Sequence, residues 1–119
     1  MIAVMIMIIK GKPMKFTING DIWYISETSL KTLLQLLEPD DQSKFVFGLT
    51  SRSQHHIYIN NTICEGQKKR TLLHELMHCY LWEYGICTDS FNEEGLCDVF
   101  AGAYTFAKPV YEKYFKEGK

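Results

Sequence analysis

The spacing of apolar residues changes along the chain, and each change marks an element. From Lys15 to Ile25 two short runs, KFTI and DIWYI, flank Asn19 and Gly20. Asn-Gly between alternating apolar residues predicts a hairpin, because both central positions of a type I′ turn require positive φ. Phe16, Ile18, Ile22 and Tyr24 fall on alternating positions and are expected to line one covered sheet face. The period then lengthens: Leu30, Leu33, Leu34 and Leu37 follow the i, i+3, i+4, i+7 pattern of a helix over about 29–38, and Pro39 stops it. Its leucines are read as core. Phe45 to Leu49 and His56 to Ile59 are two more strand-like runs, separated by the polar TSRSQH.

From Gln67 to Tyr84 there is no Pro or Gly, so a helix is predicted over 66–84. Leu73, Leu76, Met77, Tyr80, Leu81 and Tyr84 supply its apolar side, and Gly85 is placed as its C-terminal stop. Ser90 with Glu93 fits a capping box opening a third helix over 91–116. Leu96, Phe100, Ala103, Ala107, Val110 and Tyr114 form its apolar stripe, Pro109 is expected to kink or divide it, and the tail KEGK to fray. At the other end, MIAVMIMII is an apolar run of nine residues. That falls well short of the roughly 20 a spanning helix needs, and it has no basic n-region before it and no small-residue cleavage site after it. It is read as a buried strand; in a second reading Met14 resembles a start and residues 1–13 are a disordered lead-in. The expected fold is α+β: a small, twisted, mainly antiparallel sheet packed on about three helices.

Composition narrows the classes. A chain of 119 residues supports one domain with one modest core, spanning 1–119. With 46% hydrophobic and 23% charged residues it is ordinary globular material. A net charge of −1 argues against a sequence-independent nucleic-acid binder, and no membrane association is expected. Cys64, Cys79, Cys87 and Cys97 make no C-x-x-C pair, which disfavours a cysteine zinc ribbon. Without an export signal a reducing cytoplasm is expected, with these thiols acting as small buried hydrophobes.

The chemistry is concentrated in TLLHELMHC, Thr71 to Cys79, where His74, Glu75 and His78 spell H-E-x-x-H. On a helix, positions four apart lie one above the other, so two imidazoles can aim at one zinc ion. Zinc with three protein ligands keeps a fourth position for water, and the adjacent carboxylate of Glu75 is placed to act as general base. The third ligand is not a histidine, since none follows His78. Glu83 is rotated away from the metal face. Glu94 and Asp98, four apart on the third helix, make the useful pair: Glu94 as ligand and Asp98 as acceptor for the free ring N–H of a ligand histidine. Their alternative reading is as ordinary acids of a helix start. His55 and His56 are read first as plain strand residues, and Tyr80, Tyr84, Tyr104 and His56 stand as alternative oxyanion donors.

The succession HIYIN, TLLHELMH and EGLCDVFA (Glu94 to Ala101) resembles the ImmA/IrrE family of small zinc metallopeptidases, which is similar to thermolysin-like gluzincins in joining H-E-x-x-H to E-x-x-x-D. The resemblance spans Ile57 to Ala101. It implies a minimal zincin-like domain, zinc bound by His74, His78 and Glu94, general-base catalysis by Glu75, and an orienting role for Asp98. It also implies endopeptidase action on a protein or peptide substrate, such as a regulatory protein of a mobile element or phage. Met77 and Cys97 replace residues that are usually small in that family, and there is no room for the DNA-binding or sensory domain that many members carry. The competing expectation is a non-catalytic, zinc-stabilised interaction module, which would not need Glu75.

Overall fold

The computed structural model describes residues 10–36, 46–90 and 92–117. The expected strand at 1–9, the helix end with its Pro39 stop, the strand start at Phe45, the helix start at Phe91 and the last two residues of the tail lie outside the described residues. The elements are β1 (Lys10–Ile18), β2 (Asp21–Thr28), α1 (Leu30–Leu36), β3 (Gly48–Ser51), β4 (His56–Asn60), α2 (Glu65–Glu83), a 3₁₀ turn (Thr88–Ser90) and α3 (Glu93–Glu117). Sheet order is β1-β2-β4-β3. Two pairings are antiparallel, but β2 and β4 run parallel, so the sheet of this α+β fold is mixed.

The hairpin forms as its turn chemistry dictates: Asn19 and Gly20 take φ of 49° and 82°, and Ile18 pairs with Asp21. That two-residue turn also sets the parity of the second strand. Phe16 faces Trp23 and Met14 faces Ile25, so Trp23 and Ile25 join Phe16 in the core. Ile22 and Tyr24 are exposed, a correction to the expected face that follows from side chains alternating along a strand. Residues 10–13, assigned to a lead-in by one of the two readings, belong to β1. Lys10 pairs with Glu27 and Met14 with Ile25, so the ladder bulges around Pro13, which stands on the outermost strand on this side among the described residues and has no N–H to give a ladder.

β4 is sandwiched between β2 and β3, and Ile57, Tyr58, Ile59 and Asn60 are all buried. Both α1 and α2 pack against it. α1 is capped by Ser29, whose Oγ accepts the Thr32 N–H, and it buries Leu33 completely.

α2 ends in a left-handed Gly85 with φ of 60°. Gly85 N–H donates to the Trp82 carbonyl and Ile86 N–H to that of Leu81, the paired closure of a Schellman motif. Its buried face is Leu72, Leu76 and Cys79 with Thr71 and Glu75, one step round from the expected stripe, while Leu73 and Tyr84 are exposed. The cysteines divide accordingly: Cys79 is buried, whereas Cys64, Cys87 and Cys97 are exposed, and all four are free.

α3 is capped by Asn92, whose Oδ1 accepts the Gly95 N–H at 2.7 Å, in place of the expected Ser90–Glu93 box. Pro109 does not divide the helix. It sits on the exposed side, where the Thr105 carbonyl that loses its partner can turn to water. The core takes Ala103, Ala107 and Tyr114 from the predicted stripe, but Leu96 and Phe100 are exposed. Tyr114 fastens the far end by donating to Glu27 Oε2 at 2.7 Å, and Lys68 holds Glu27 Oε1 at 2.8 Å.

Candidate functional site

With Leu72, Leu76 and Cys79 turned onto the sheet, α2 leaves His74 and His78 on its outer side, one turn apart. Their Nε2 atoms lie 3.2 Å from each other. Two nitrogens bound to a tetrahedral zinc at 2.0–2.1 Å would stand about 3.3 Å apart, so the pair fits the ion.

Glu75 lies on the sheet-facing side and is buried. Its carboxylate is met by β3: the Thr50 hydroxyl donates to Glu75 Oε1 at 2.7 Å, with the Glu75 backbone oxygen also 3.2 Å from Thr50 Oγ1. A glycine makes this approach possible. A Cβ at Gly48 would sit 2.6 Å from Thr71 Cγ2 and 3.0 Å from the Tyr58 carbonyl oxygen. β3, the outermost strand on this side among the described residues, thus rests against α2, and between them opens a cleft of about 400 Å³ lined by Leu49, Thr50, Arg52, His74, Glu75 and His78 together with Gly48.

Glu94 is exposed in the first turn of α3, and Asp98 is exposed one turn later. Neither joins the histidines in this arrangement. Among the described residues, the three donor side chains whose ligand atoms all lie within 4.8 Å of one another are Asp21, His55 and Glu83, so the Glu94 carboxylate does not stand that close to both imidazoles. Nor, among the described residues, does a hydrogen bond join Asp98 to a histidine. The packing accounts for it: no side chain from Glu93 to Phe100 is buried, and α3 is held at its far end instead.

None of the four expected oxyanion donors lines the cleft. His56 accepts or donates at Ser26 Oγ, 2.6 Å away, and stacks on Tyr58 with centroids 4.1 Å apart. Burial lowers its pKa to about 4, so it is neutral near pH 7. Tyr80 packs on Tyr84 and Phe106, and Tyr104 stacks on Phe100. The cation that does line the cleft is Arg52, its guanidinium 4.8 Å from the Trp82 ring centroid. Gly48, Thr50 and Arg52 escaped the sequence reading because their place depends on β3 pairing with β4. The polar run after Leu49 was the signal available.

His55, expected as a plain strand residue, stands in a loop with φ of 52° and joins Asp21 and Glu83 in the three-donor group. No described helix is long and apolar enough to cross a membrane. Compared with protein-family models, curated proteins and solved structures, the chain matches none.

Proposed function

We propose that this protein is a zinc-dependent endopeptidase that hydrolyses a protein or peptide substrate, with His74, His78 and Glu94 holding the metal and Glu75 acting as general base. The observation that carries the reading is the 3.2 Å approach of the two imidazole nitrogens in the cleft that also receives the Glu75 carboxylate. Bound there, zinc would supply Lewis acidity toward a carbonyl and lower the pKa of a water.

The protein's own groups divide the remaining work. Thr50 fixes Glu75 Oε1, which leaves Oε2 to take up a proton and hand it to the leaving amine. β3, outermost among the described strands, would offer its edge to an extended peptide, whose backbone would add a strand beside the cleft. Arg52 is the positive group available to a polarised or anionic substrate oxygen. Glu94 must swing, or the first turn of α3 must close on α2, for its carboxylate to complete the ligand set. The lack of buried side chains over the first two turns makes that movement inexpensive.

The test is zinc content and peptide-library cleavage for the parent, Glu94→Ala and Glu75→Gln. The peptidase reading expects Glu94→Ala to hold one zinc fewer than the parent and to lose activity with it, and Glu75→Gln to lose activity alone. Retained function in Glu75→Gln would favour a zinc-stabilised interaction module.

A further inference from the structure

At the opposite end of α2 from its start, three segments remote in sequence meet. Asp21 opens β2 just after the hairpin turn, His55 closes the loop between β3 and β4, and Glu83 ends α2. We propose that these three side chains form a second, structural site for a divalent transition metal, which staples the turn, the loop and the helix end together.

The donor set is already oriented. His55 Nδ1 lies 3.3 Å from the Ile22 carbonyl oxygen. A carbonyl only accepts, so in the neutral ring this contact puts the proton on Nδ1 and leaves the lone pair on Nε2, the arrangement in which metal-binding histidines are held. The His55 ring lies flat on Trp23, with centroids 4.7 Å apart and planes 2° from parallel. Trp23 is fully buried, and its indole N–H donates to Glu83 Oε2 at 2.7 Å. One tryptophan thus positions two of the three donors, and among the described residues no hydrogen bond engages Glu83 Oε1, which can face an ion. Asn19 adds a brace by donating to the Glu83 backbone carbonyl at 3.1 Å.

Charge supports a cation here. Among the described residues the ion pairs are Lys68–Glu27 and Lys69–Glu65, so neither Asp21 nor Glu83 is neutralised by a lysine or arginine. The site also sits at the negative end of the α2 dipole. One imidazole with two carboxylates suits a borderline ion such as Zn²⁺ rather than Ca²⁺ or Mg²⁺, which prefer oxygen throughout. The group joins a turn, a loop and a helix end, so the role that its placement supports is to brace the fold.

The experiment is zinc chloride titration by calorimetry, paired with thermal unfolding, in the chelator-treated full chain carrying His74→Ala and His78→Ala. Removing those imidazoles isolates this site from the proposed peptidase centre, on which the inference does not depend. The expected result is one zinc equivalent and a rise in Tm on addition of the metal. Asp21→Asn and Glu83→Gln, added singly, should each weaken binding at least about tenfold. Gln at 83 keeps an acceptor for Trp23, and His55→Asn, which tolerates left-handed backbone, should abolish binding. No zinc binding by the His74→Ala/His78→Ala protein, or binding undiminished by the Asp21 and Glu83 substitutions, would overturn the proposal.

Discussion

Thr50 Oγ1 lies 2.7 Å from Glu75 Oε1, joining the edge strand to the carboxylate between the two motif histidines. This one bond makes the orientation of Glu75 depend on how β3 is registered against β4, where Thr50 pairs with Ile57. If Glu75 moves the proton, Thr50 is a positioning residue. Thr50→Val should lower kcat about tenfold while zinc binding persists, at a stability cost of about 1–3 kcal/mol for the carboxylate left with no donor. Thr50→Ser should restore both. Steady-state kinetics with metal analysis checks this, and an unchanged kcat in Thr50→Val would remove Thr50 from the mechanism.

Gly48 sets how closely β3 can approach α2. Gly48→Ala would place a Cβ 2.6 Å from Thr71 Cγ2, and it should destabilise the fold by about 1–3 kcal/mol. Thr71→Ser removes that methyl and keeps the hydroxyl, so the double variant should recover part of the loss. A double-mutant cycle by denaturant unfolding measures the coupling, and strict additivity would mean the clash is relieved elsewhere.

Much of the frame was legible in sequence because it rests on local chemistry. Asn19-Gly20 specifies its turn, Gly85 its helix stop, and His74, Glu75 and His78 their spacing on α2. What escaped is long-range. Trp23 displaced Ile22 from the core because a two-residue turn fixes parity, and a strand of alternating large residues shows two plausible faces. The docking of β4 parallel to β2 and antiparallel to β3 has no local signature, so Thr50 and Arg52 could not be assigned to the cleft. Leu96 and Phe100 follow helical spacing faithfully, but spacing says nothing about where a helix meets its partner.

Glu94 and the histidines are drawn together by metal, on the proposed reading. Zinc should therefore slow amide exchange over the first turns of α3 in the parent protein, by several-fold or more, and leave it unchanged in Glu94→Ala. Hydrogen exchange with mass spectrometry reads this directly. Equal protection in both proteins would exclude Glu94 as the third ligand.

His56 gives the fold a pH dependence separate from the cleft. Its folded pKa, near 4, lies below the ordinary value of 6.5 because burial disfavours the imidazolium. Between those values the unfolded chain binds a proton that the folded chain does not, so stability should fall as pH drops from about 6.5 toward 4. Unfolding midpoints measured across that range should decline in the parent and decline less in His56→Gln. A midpoint that rises on acidification in the parent alone would contradict the burial of a neutral ring.

The most direct measurement is cleavage of a peptide library by the parent and by Glu75→Gln, each with its zinc counted against a His74→Ala/His78→Ala control. The account predicts that the parent and Glu75→Gln both hold one zinc more than the control, and that Glu75→Gln cleaves about 10²- to 10⁴-fold more slowly. Equal cleavage by the two proteins, or a zinc content no higher than the control, would contradict it.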